Sequence, residues 1–143
     1  MSMAGEAVTI EVAGKVQGKG RARSFRRGDF TGHYTPKETR SYEGMIRFAA
    51  QEAMKGRGRF EGPVSVSVVV VFDIPVSYSK KKKAEALGGA LWPTKKPDSD
   101  NLEKLVHDAM NTVVFKDDAQ IVRSECTKKY GPAPKMVATV TPL

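Results

Sequence analysis

Asp98, Asp100, Asp117 and Asp118 are the residues of this 143-residue chain whose types and spacing could do chemistry. Carboxylate oxygens are hard donors, and a few of them around one cleft suit Mg²⁺ or Mn²⁺, which keep open positions for water and phosphate. Without a cation such carboxylates repel one another, and at least one tends to keep its proton. Lys104 lies four residues beyond Asp100, one helical turn away on the same face, where a positive charge could face a reacting phosphate.

The elements between the acids must bring them together. In an extended backbone Asp98 and Asp100 point the same way. Leu102, Leu105, Val106, Ala109, Met110 and Val113 then recur at helical spacing as one apolar stripe. Asp100 suits the N-cap of this helix, and Glu103 three residues on completes a capping box. Val113, Val114 and Phe115 return the chain toward the core, with Asp117 and Asp118 in the turn that follows. The expectation is that this turn carries the second acidic pair back to the first.

Twenty-four Lys and Arg against sixteen Asp and Glu give a formal charge of +8. Because several of the acids sit in one cluster, the remaining surface is more basic still, and a polyanion such as nucleic acid is the expected partner. The single cysteine, Cys126, excludes an internal disulfide and a Cys-based zinc site. The first residues have neither a basic start nor an apolar signal core, so a cytoplasmic location is expected.

Residues 1–143 read as one domain of interspersed strands and helices, an α/β or α+β fold with a mixed sheet flanked by helices. Val8, Ile10 and Val12 alternate as a half-buried strand, and residues 64–72 form a strand apolar enough for the centre of a sheet. Residues 25–30 read as a hairpin. Thr35, Pro36 and Glu38 start a helix whose face includes Tyr42, Met45, Ile46, Ala49, Ala50, Ala53 and Met54. Ser79 caps a short helix, residues 121–130 form a long strand, and Met136, Ala138 and Val140 mark the last one.

Basic residues are set into this frame where a nucleic acid could meet them. Between residues 14 and 23 glycines alternate with Lys15, Lys19, Arg21 and Arg23, so the backbone can approach a phosphate with charge beside it. Arg26 and Arg27 stand at the hairpin tip. Lys80, Lys81, Lys82 and Lys83 open a helix, where positive charge opposes the macrodipole, and phosphate contact would give that placement a use. His107, on the polar face of the central helix, reads as a solvated side chain.

The motif Lys96-Pro97-Asp98-Ser99-Asp100-Asn101-Leu102-Glu103-Lys104, then Asp108-Ala109-Met110, then Asp117-Asp118-Ala119-Gln120-Ile121, resembles that of the RusA family of Holliday junction resolvases. The likeness extends to the loop of residues 14–23, to Tyr34-Thr35-Pro36 and to Ser79 with its lysines, and so covers most of the chain. It implies a RusA-like fold and a homodimeric, Mg²⁺-dependent endonuclease, with Mn²⁺ as a substitute. Such an enzyme makes paired nicks in four-way DNA junctions during recombination and repair, and such genes occur in phages and prophages. By position, Asp98, Asp100 and Asp118 match the family's metal-binding acids and Lys104 its catalytic lysine, with Asp117 as an outer ligand. The alternative is a branched-DNA-binding protein that does not cut; a metal-dependent phosphatase for a small nucleotide is a further rival.

Overall fold

A computed structural model of the chain describes residues 6–16, 23–27, 30–34 and 37–143, with side chains described for 6–16 and 42–143. Its elements in order are β1 (Val8–Ala13), β2 (Arg23–Arg27), β3 (Phe30–Tyr34), α1 (Lys37–Ala53), β4 (Val64–Asp73), α2 (Lys80–Leu87), α3 (Ser99–Met110), a 3₁₀ turn (Asp118–Gln120), β5 (Ile121–Gly131) and β6 (Lys135–Pro142). Four strands form one mixed sheet in the order β1, β6, β4, β5, and β2 pairs with β3 as a separate hairpin. The α/β reading therefore holds, with β1, β6 and β4 antiparallel in turn and β5 parallel to β4.

The parallel pairing follows from what joins the two strands. A parallel neighbour needs a crossover, and here α2 and α3 supply it. Val64, Val66, Val68 and Val70 are fully buried, and β4 lies between β6 and β5, as a strand so apolar requires. Val8, Ile10 and Val12 of β1, and Met136, Ala138 and Val140 of β6, continue the same buried layer. α1 packs against β1 and α3, and α3 lies over β4 and β5.

Helix α3 is fixed by its stripe. Leu102, Leu105, Val106, Ala109 and Met110 are buried, each large side chain contributing about 1.5–3 kcal/mol by leaving water. Val114 and Phe115 follow into the core as expected. At the far end of β5, Gly131 lies so close to Val71 that a Cβ there would come within 2.5 Å of its Cγ1, so glycine is required. Tyr42, Ile46 and Ala50 anchor α1 and Met54 follows it into the core, whereas Met45 stands half exposed beside the exposed Phe48. Among the described residues no helix is long and apolar enough to cross a membrane.

Candidate active site

The N-terminal end of α3 is the first half of the site. Asp98 is the N-cap, with extended backbone (φ −70°, ψ 150°), and its carbonyl accepts from Leu102 N at 3.0 Å. Asp100 therefore lies inside the first turn and is not the N-cap expected from the sequence. Ser99 already has helical backbone, so the strand-like alternation that was to align Asp98 with Asp100 does not apply. The Asp98 carboxylate makes no cap bond to the backbone. It pairs instead with Lys96 at 3.1 Å, and half of its side chain is open to solvent. Asp100 and Lys104, both exposed, lie one turn apart.

Along the same polar stripe of α3 the side chains turn inward toward β5. Ser124 Oγ donates to Glu103 Oε2 at 2.8 Å and lies 3.1 Å from His107 Nε2. His107 is thus half-buried and bonded, not solvated. Burial lowers its pKa from the ordinary 6.5, against the upward pull of Glu103, Asp118 and Asp108. These contacts dock α3 on β5. Neither Glu103 nor Ser124 stood out in the sequence as part of a site, because their meeting depends on how a helix and a strand cross.

The second acidic pair lies beyond the C-terminal end of α3. Asp117 caps the 3₁₀ turn: its Oδ1 accepts from Ala119 N at 3.1 Å. Gln120 Oε1 accepts from Lys116 N and Asp117 N, while its Nε2 donates to Phe60 O and Gly62 O, all at 2.9–3.0 Å. Asn111 Oδ1 accepts from Asp118 N at 3.1 Å. The Asp118 carboxyl is pushed up first by a side-chain hydrogen bond with Asp117, then by desolvation and by the charges of Asp117 and Asp108, with His107 opposing. Asp117 thus caps the turn, and its carboxyl also shares a hydrogen bond with that of Asp118.

Among the described residues of one chain the two halves form no common metal-holding group. Asp118, whose amide bonds to Asn111 and whose charge acts on His107 and Asp108, lies beside the last turns of α3, whereas Asp98 and Asp100 stand at its first; Asp100 and Asp108 are eight residues apart, about 12 Å along a helix rising roughly 1.5 Å per residue. The expected return of the second pair to the first is corrected on this point, for the body of α3 from Asn101 to Met110 lies between them. Among the described residues no group of three His, Cys, Asp or Glu could hold a metal ion. In kind, the exposed carboxylates fit a hard cation; in number, either end of one α3 falls short.

The basic residues fall in several places. Lys15 pairs with Asp73 at 3.6 Å. Lys80 to Lys83 open α2 behind Ser79, whose Oγ accepts from Lys82 N at 3.1 Å, and Lys82 Nζ lies 4.1 Å from the Tyr78 ring centroid. Arg23, Arg26 and Arg27 are on β2, their side chains outside the described residues, as are Lys19, Arg21, Thr35 and Pro36.

Residues 13–141 match the family model of the endodeoxyribonuclease RusA. The chain belongs to the RusA endodeoxyribonuclease family. It is also 34% identical over 133 residues to the uncharacterized protein YqaN of Bacillus subtilis strain 168, an alignment covering 92% of this chain and 93% of that protein. The match runs from the last residue of β1 almost to the end of β6 and includes both ends of α3, so the RusA resemblance read from the acidic motifs extends over β4, β5 and nearly all of β6 as well. As a RusA-family chain the protein is an endodeoxyribonuclease.

Proposed function

We propose that this RusA-family protein cuts four-way DNA junctions as a homodimer, with a divalent cation, Mg²⁺ or Mn²⁺, held by Asp98, Asp100 and Asp118. The observation that carries this reading is the family match across residues 13–141, within which both acidic motifs fall. The separation of those motifs by the length of α3 supports the dimer. A twofold pairing that sets two α3 helices side by side and antiparallel puts the Asp98 end of one chain beside the Asp118 end of the other, and does so twice. Two equivalent sites answer a junction whose two cut strands are themselves related by a twofold axis.

A divalent cation, when bound, polarises the phosphate and lowers the pKa of a coordinated water. The protein's own residues do the rest. Lys104, one turn from Asp100, sets positive charge where the phosphate becomes more negative as it is attacked. Asp117 holds the 3₁₀ turn and thereby orients Asp118. Glu103, His107 and Ser124 fix α3 on β5, so that its exposed face keeps one position.

The test is a labelled four-way junction incubated with and without Mg²⁺, with wild type and Asp100→Asn. Paired nicks that require Mg²⁺, made by the wild type only while both proteins bind, are the expected result. Binding by both with cutting by neither would make this a junction-binding protein instead.

A further inference from the structure

Beside the Asp98 end of α3 lies a pocket of about 210 Å³ whose walls include Lys15, Phe72, Asp73, Lys95, Lys96 and Pro97. Lys128, reaching across from β5, donates its Nζ to the carbonyls of Lys95 at 2.6 Å and of Pro97 at 3.0 Å. Its ammonium and that of Lys95 both lie over the Phe72 ring, at 5.5 and 5.6 Å from the centroid. Lys96 is the residue paired to Asp98. Three lysines thus line the pocket against one acid, Asp73, and that acid is partnered by Lys15. Among the described residues the positive charge of Lys128 is met by carbonyl oxygens and an aromatic ring and by no ion pair, so it adds to the field.

We propose that this pocket is a phosphodiester subsite, seating one backbone phosphate of the DNA strand next to the scissile one, and that Lys128 is the positioning residue that shapes it. The chemistry is that of an anion site with an apolar floor: ammonium groups for the phosphate oxygens, Phe72 and Pro97 for the sugar. Its volume is below the ordinary range for a whole small-molecule ligand, roughly 300–1,000 Å³, and suits a single backbone unit. By tying down residues 95 and 97 together, Lys128 fixes the segment that carries both the subsite lysines and Asp98. The inference rests on the reading of DNA as substrate, and it adds a contact and a positioning role to it.

The experiment is the salt dependence of binding to a four-way junction and to a plain duplex, without divalent cation. It compares wild type, the double variant Lys15→Gln/Lys95→Gln, Lys128→Met, Lys128→Arg and the distant control Lys55→Gln, with thermal unfolding to check each fold. Losing one phosphate contact is expected to make the slope of log K against log salt shallower by about 0.9. The double variant and Lys128→Met should both show that change, Lys128→Arg should restore the wild-type slope, and the control should match wild type. An unchanged slope in the double variant overturns the subsite while leaving the endonuclease reading intact. A shallower slope in a protein that never cuts upholds the subsite and removes that reading; a wild type that binds no DNA overturns both.

Discussion

The two ends of α3 carry similar acids in opposite circumstances. At the N-terminal end Asp98 leaves the backbone uncapped and pairs with Lys96, and Asp100 stands in solvent one turn from Lys104. At the C-terminal end Asp117, Asn111 and Gln120 are tied into a closed set of hydrogen bonds, and Asp118 holds its proton more tightly than an ordinary carboxyl. The first end has charge to give to a ligand. The second has spent most of its polar groups on holding one aspartate in place.

That contrast can be broken or sharpened by substitution. The largest effect belongs to the open end. Asp98→Asn and Asp100→Asn should each reduce junction cleavage at least about a hundredfold, some 2.7 kcal/mol at roughly 1.36 kcal/mol per decade. Their urea midpoints should stay at the wild-type value, since neither side chain supports the fold. Single-turnover cleavage and urea unfolding on the same preparations measure both.

At the closed end stability should suffer instead. Gln120→Ala strands the amides of Lys116 and Asp117 and the carbonyls of Phe60 and Gly62, and a loss of about 2–3 kcal/mol in urea unfolding is expected. Asp117→Ala removes an N-cap, for about 1 kcal/mol. It also removes the main cause of the raised Asp118 pKa, so the Asp118 carboxyl should titrate lower when followed by NMR.

The smallest effect lies between the two ends, at His107. Its folded-state pKa is below 6.5, so between that lower value and 6.5 the unfolded chain binds the more protons, and stability should fall as pH drops through this window. Melting temperatures at pH 7.5 and 5.5 should differ less in His107→Gln than in wild type. Equal differences in the two proteins would show that burial of the ring does not set the trend.

Most of this frame was legible in the sequence because it depends on local periodicity. The alternation of Val8, Ile10 and Val12, the stripe of α3 and the cap at Ser79 all appear where the residues place them. The α3 start was misplaced by two residues, since Asp98 and Asp100 are both good caps and only the Leu102 N to Asp98 O bond decides between them. The convergence of the acids failed on simple length, for the helical residues Asn101 to Met110 separate the pairs. What no local pattern could reveal is the set of contacts between distant residues: Lys128 on the carbonyls of residues 95 and 97, or Ser124 between Glu103 and His107.

The claim that two chains complete each site is tested most directly by mixing inactive variants. Asp100→Asn and Asp118→Asn, each without cleavage alone, are combined, allowed to exchange subunits and given a labelled junction with Mg²⁺. In a mixed dimer one shared site carries both lesions and the other carries none, so the account predicts that single-strand nicking returns. A mixture as inactive as its components, despite demonstrated subunit exchange, would contradict it.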